Sequence, residues 1–185
     1  MAERVCPWWL GYLLASALRR LLHHPDKIVA PYLRPGMMVL EPGPGMGFFT
    51  LPMARAVGPS GRIVAVDVQP KMINGLRRRA QKGGLLDRID ARLASADSMG
   101  IGDLAGKVDF TLAFAVVHEM PSSAPFFVEA AAASRPGAKM LLAEPSGHVP
   151  PEKFEEELRD ADKAGLWVVE RPAITRCTSA LLEKR

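Results

Sequence analysis

Glu41 closes a short apolar run and is followed by glycines at alternate positions, Gly43, Gly45 and Gly47, within Val-Leu-Glu-Pro-Gly-Pro-Gly-Met-Gly. Glycine lets a backbone bend tightly and approach a ligand with no Cβ in the way. A strand, a glycine turn and a helix in that order build a nucleotide-binding loop at the carboxyl end of a sheet strand. The spacing narrows the choice of nucleotide. A dinucleotide loop reads G-x-G-x-x-G, whereas this one reads E-x-G-x-G-x-G. Asp67 lies 20 positions beyond Gly47, at the end of the β-branched run 62–67. An acid there can accept hydrogen bonds from both ribose hydroxyls; its competing use is to cap the next helix, and the intervening Pro70 speaks against that.

A second group of residues suits proton transfer. His118 and Glu119 follow the apolar run 108–117, and Glu144 and His148 follow the run 139–143. Imidazole titrates near neutral pH, so His118 is the first candidate for a base or acceptor-orienting group, with Glu119 beside it. Glu144 and His148 read as substrate contacts or structure. Together with Cys6 these side chains could meet a soft metal or metalloid, but no ligand spacing supports a metal site. Cys6 and Cys177 form no C-x-x-C pair, so neither a zinc site nor a disulfide framework is indicated, and a reduced, cytoplasmic compartment is expected.

The elements that must position these groups follow from periodicity. After a short helix opening at Pro25 and ending near Tyr32, strands are expected at about 37–41, 62–67, 89–93, 108–117, 139–143, 167–174 and 179–182. Helices are expected at 48–57, from Pro70 to Gly83-Gly84, at 125–134 ended by Arg135-Pro136-Gly137, and at 151–164. Met72, Ile73, Leu76 and Ala80 share one helix face, as do Phe154, Leu158 and Ala161. Strand–helix alternation implies an α/β, doubly wound, largely parallel sheet. The last two strands are joined by residues 175–178 alone, too short for a parallel crossover, so the final strand must run antiparallel to its predecessor. With 185 residues, 48% hydrophobic and 24% charged, one compact domain is expected.

The string around Glu41 resembles the first motif of the Rossmann-like S-adenosylmethionine-dependent methyltransferases. Val-Ala-Val-Asp and Arg-Pro-Gly-Ala-Lys-Met-Leu-Leu-Ala-Glu-Pro are similar to its small-molecule branch, the ubiquinone/menaquinone-biosynthesis type. The resemblance covers about residue 37 to the C-terminus. It implies a seven-stranded sheet with one antiparallel strand, a catalytic domain over 35–185, and a helical lid over 1–34. It also implies S-adenosylmethionine as cofactor. Glu41 would hold the amino end of the methionine moiety, with Gly43, Pro44, Gly45 and Gly47 forming the cradle. Asp67 and Val68 would meet the ribose, Ala96, Asp97 and Ser98 the adenine, and Phe114 and Ala115 would flank the cofactor. The Asn/Asp-Pro-Pro-Tyr/Phe motif of nucleobase amino-methylating enzymes is missing; Val117-His118-Glu119-Met120-Pro121 stands in that place.

Methyl transfer to a small-molecule acceptor by in-line displacement is the expected activity. The N-terminal Trp8, Trp9 and Tyr12 would then form an aromatic lid over the acceptor, or pack on the sheet edge, or dock peripherally on a membrane surface. The apolar run there is shorter than the roughly 20 residues of a membrane span, and its mixed leading charges, Glu3 and Arg4, argue against a signal peptide. Net charge is +4; Arg77-Arg78-Arg79 and Arg19-Arg20 read as solvated helix faces, so nucleic acid is not an expected partner. The competing functions are an RNA or protein methyltransferase, a nicotinamide-dependent oxidoreductase, and a silent cofactor-binding module. The sequence specifies no oligomeric state.

Overall fold

The computed structural model describes residues 24–95 and 97–185. The aromatic segment carrying Trp8, Trp9 and Tyr12, and Ala96 of the expected adenine site, lie outside them. Seven strands form one sheet: β1 (Met38–Pro42), β2 (Arg62–Asp67), β3 (Ile89–Leu93), β4 (Val108–Phe114), β5 (Ser134–Pro145), β6 (Leu166–Glu170) and β7 (Cys177–Lys184), in the order β3-β2-β1-β4-β5-β7-β6. The β1/β2, β1/β4, β2/β3 and β4/β5 pairs are parallel, and β7 runs antiparallel to both β5 and β6. The short connection before β7 leaves it no other direction.

Strand alternation sends side chains to two apolar layers. Val39, Ile63, Phe110 and Leu141 enter one layer with α1 (Pro25–Val29), α2 (Thr50–Ala56) and α3 (Pro70–Lys82). Leu40, Val64, Met140 and Leu142 enter the other with α4 (Ser123–Ala133) and α5 (Pro151–Lys163). Both faces are covered, which is why these strands read as continuous apolar runs. The expected helix faces are confirmed: Met72, Ile73, Leu76, Ala80, Phe154, Leu158 and Ala161 are all buried. Order reverses between the β2 side and the β4 side of β1, and an open α/β sheet binds its ligands outside the strand ends at such a point. Among the described residues, no helix is long and apolar enough to cross a membrane.

Several boundaries differ from the sequence reading. The strand expected over 108–117 stops at Phe114, because Ala115 adopts φ 54° and the chain turns into a 3-10 turn at Val117–Glu119. Arg135-Pro136-Gly137 ends α4 but also lies inside β5, which pairs Ser134 with Val108 and then shifts register before Phe110. The run expected over 167–174 ends at Glu170; Pro172 has no N–H to continue a ladder, and Ile174 makes only an isolated bridge to Cys177. The helix expected from 48 begins at Thr50, after the glycine turn has uncoiled.

Ala115 carries a left-handed backbone at the rim of the sheet, and its N–H donates to the Ala143 carbonyl at 2.7 Å. An L-residue there costs about 1–2 kcal/mol. Ala115→Val should therefore lower stability by at least about 1 kcal/mol in urea unfolding, while Ala115→Gly should cost nothing.

Candidate active site

Because β1 to β5 are parallel, their carboxyl ends share one edge, and the chemistry-bearing residues gather there. Glu41 ends β1 at 3% exposure, and its Oε2 has no hydrogen-bond partner among the described residues. Burial pushes its carboxyl up to about 8; the neighbouring Thr50 hydroxyl pulls the other way, and the Asp67 charge adds to the rise. Thr50 Oγ1 itself has no well-formed hydrogen bond among those residues. So deep a carboxyl normally has partners for both oxygens, and Oε2 finds none among the described residues.

The glycine turn wraps beside this acid. Gly43, Gly45 and Gly47 all have positive φ (65°, 53° and 87°), a conformation L side chains rarely take. A Cβ on Gly43 would lie 2.5 Å from Val116 Cγ2 and one on Gly47 would lie 2.7 Å from Leu76 Cδ1, so these two are needed for packing. A Cβ on Gly45 would meet nothing within 4 Å. Gly45 thus faces open space. The Gly43 N–H donates to Val66 O at 2.9 Å, and Arg79 Nη1 donates to Met46 O at 2.5 Å, tying the turn to β2 and α3. Arg77 similarly donates to Ala91 O at 2.7 Å, so part of the arginine run serves the fold instead of forming a purely solvated face.

Asp67 ends β2, and the Gln69 N–H donates to its Oδ1 at 2.8 Å. Burial raises its carboxyl to about 6, against backbone N–H groups of Gln69, Gly45 and Val68 that favour the charge. Gln69, not Asp67, holds the N-cap position of α3, so the capping use does not apply. Val68 is exposed beside it. Asp97 is exposed just beyond β3, in a turn closed by Ser95 N–H to Ser98 O at 3.2 Å. Ser98 Oγ donates to Glu129 at 3.2 Å, which anchors that turn to α4. Phe114 is buried at the end of β4.

The second half of the edge is a hydrogen-bonded pair. Glu144, at the end of β5, is 0% exposed. Its Oε1 accepts the N–H groups of Val116 at 3.3 Å and Val117 at 2.8 Å, and its Oε2 accepts from His118 Nδ1. With Nδ1 so engaged, Nε2 is the ring atom left for proton transfer. Burial alone would lower the His118 imidazolium, but Glu144, with the charges of Glu119 and Glu157, outweighs it and raises the pKa above its ordinary value. The His148 ring lies 5.1 Å from that of His118, edge to face. So the structure brings His118, Glu144 and His148 together, with Glu119 half-buried alongside. Glu144 sits behind the histidine, not in the open as a substrate contact. Glu157 on α5 was not singled out as a site residue: it is 1% exposed, three residues after Phe154 and four before Ala161, so helix period carries it onto the buried face. Among the described residues no group of three or more His, Cys, Asp or Glu can hold a metal ion.

A model of the methyltransferase domain family matches residues 33–176. The chain belongs to that family. Its similarity to the ubiquinone biosynthesis O-methyltransferase of Methylocella silvestris is 33% identity over 143 residues, 76% of this chain and 53% of that enzyme. Similarity to the arsenite methyltransferase of Halobacterium salinarum is 28% over 112 residues, 60% of this chain and 28% of that enzyme. The chain therefore spans about half or less of these relatives. The crystal structure of a SAM-dependent methyltransferase from Aquifex aeolicus superposes with TM-score 0.86 at 22% identity, covering 98% of this chain and all of that one, which establishes the shared fold. S-adenosylmethionine is the cofactor of this family, and the residues present fit it: a buried acid with an orphaned oxygen, an open side-chain-free bend, and an acid at the end of β2.

Glu41 generates a prediction about the ligand-free protein. Its folded carboxyl binds a proton more tightly than the unfolded one, so its contribution favours folding at low pH and is lost as pH rises through about 8. Stability should fall from pH 5 to pH 8 by on the order of 4 kcal/mol more in the wild type than in Glu41→Gln, measured by urea unfolding.

Proposed function

We propose that this methyltransferase domain transfers the methyl group of S-adenosylmethionine to a small-molecule acceptor whose reacting atom, a hydroxyl, phenol or thiol, carries a proton. The observation that carries this reading is the His118–Glu144 pair at the end of β4 and β5, on the same edge as the glycine turn. In this reading Glu41 holds the cofactor's ammonium, the turn at Gly43, Pro44, Gly45 and Gly47 receives its methionine part, and Asp67 takes the ribose hydroxyls, flanked by Val68. Ala96, Asp97 and Ser98 meet the adenine, with Phe114 and Ala115 beside it. The two relatives, a ubiquinone biosynthesis O-methyltransferase and an arsenite methyltransferase, support a small acceptor over RNA. Two cysteines that form no C-x-x-C pair fit a reduced, cytoplasmic location.

When bound, the cofactor supplies a methyl group already activated on a sulfonium. The chain's task is placement, and well-oriented reactants can lower a barrier by about 7–11 kcal/mol. His118 Nε2 would take the proton that the acceptor atom loses on methylation. The resulting imidazolium donates through Nδ1 to Glu144, whose other oxygen stays fixed by two backbone N–H groups. An acceptor without a proton would need none of this.

Two variants separate the roles. His118→Gln should lower kcat by about 10²–10⁴ with cofactor affinity unchanged, whereas Asp67→Ala should weaken cofactor binding at least about tenfold, a loss near 1.4 kcal/mol. Calorimetry with S-adenosylmethionine and turnover with labelled cofactor in a metabolite extract read the two effects. Label appearing in RNA instead of small molecules would overturn the acceptor class.

A further inference from the structure

Glu157 is a buried acid with no task in the mechanism. It lies on α5 at 1% exposure, and neither carboxyl oxygen has a hydrogen-bond partner among the described residues. A buried polar group left unsatisfied costs about 1–3 kcal/mol, and more when charged. Packing does not call for it: Phe154, Leu158 and Ala161 already fill the apolar layer on that helix face. Its location explains it better. Leu142 projects into the α4–α5 layer, so by alternation along β5 Glu144 projects the same way, toward α5. Glu157 lies within electrostatic reach of both Glu144 and His118, with Lys153 and Glu156 facing it from its own helix. Around His118 stand Glu119 from the 3-10 turn and His148 from the connection after β5. Helix α4, packed on α5, offers Ser123, which donates to Asp160 at 2.7 Å.

We infer that Glu157 is a positioning residue of the His118–Glu144 pair, acting through its charge to strengthen the hold of the imidazole on its proton. The inference rests on the reading of His118 as the proton-accepting group, but the electrostatic coupling exists whether or not that reading holds. Burial and the Glu144 charge raise the Glu157 carboxyl to about 7, with His118 and Lys153 opposing. Glu157 therefore changes charge near neutral pH, and its charge is among those that raise the His118 imidazolium. When His118 gains a proton, Glu157 more readily loses one, which keeps the net charge of the buried cluster nearly constant.

The test needs no acceptor. In protein labelled with carbon-13 at histidine Cε1, with His118→Gln used to assign the signal, the titration midpoint of His118 should fall by about one unit in Glu157→Gln. Glu157→Asp, which keeps the charge, should restore most of it. At pH 8 Glu157→Gln should also be at least as heat-stable as the wild type, because it no longer buries an unpaired charge. An unchanged His118 midpoint together with a lowered Tm would make Glu157 a purely structural residue and overturn the inference. If Glu157→Gln does not fold, the wild-type Glu157 carboxyl and His118 must titrate as one coupled pair; independent single-site titrations would overturn it equally. The expected midpoint shift with no methyl transfer to any small molecule would instead count against the proposed function alone.

Discussion

The structure turns on one unfavourable placement: a carboxyl group, Glu41, buried at the end of a central strand with an oxygen left unpaired among the described residues. Such a group costs stability, and the sheet tolerates it because two apolar layers surround it. Fully burying one large apolar side chain returns about 1.5–3 kcal/mol, and Phe110, Phe127, Phe154, Leu112 and Leu141 are all but completely enclosed. The glycine turn follows from the same placement. Its backbone must double back at once beside the acid, which requires three positive φ values in five residues. Val116 and Leu76 fill the space that side chains on Gly43 and Gly47 would need, leaving the opening at Gly45.

Topology then joins two kinds of chemistry. The chain order reverses at β1, so the acids of β1 and β2 share the carboxyl edge of the sheet with the ends of β4 and β5. In the proposed reading, the side carrying Glu41 and Asp67 binds a cationic nucleoside and the side carrying His118 and Glu144 moves a proton. The strained Ala115 marks the corner between them: its turn releases the chain from β4 and aims the Val116 and Val117 N–H groups at Glu144. That arrangement fixes Glu144, and Glu144 fixes one ring nitrogen of His118.

Much of this was legible in the residues. The bounds of β2 and β3 came directly from β-branched and alternating runs, and the antiparallel β7 from a connection too short to cross over. The glycine spacing and Asp67 fall, as expected, at the carboxyl ends of β1 and β2. What stayed hidden is tertiary. Helix period already places Glu157 on the face of Phe154, Leu158 and Ala161, but what it meets there is set by β5. Glu144 could be a substrate contact or part of the structure by sequence, and β5 carries it inside, behind His118. The early end of β4 depends on a backbone angle that alanine rarely adopts, and the bulged start of β5 runs through residues that ordinarily signal a turn. Trp8, Trp9 and Tyr12 remain expectations from the sequence.

The most direct test of the account is the proton balance of cofactor binding. Titrating S-adenosylmethionine into the protein near pH 6.5, in buffers of different ionisation enthalpy, should show release of about one proton as Glu41 ionises against the ammonium. Glu41→Gln should bind more weakly and release almost none. Tight binding with no proton exchange in the wild type, or no binding at all, would contradict the account.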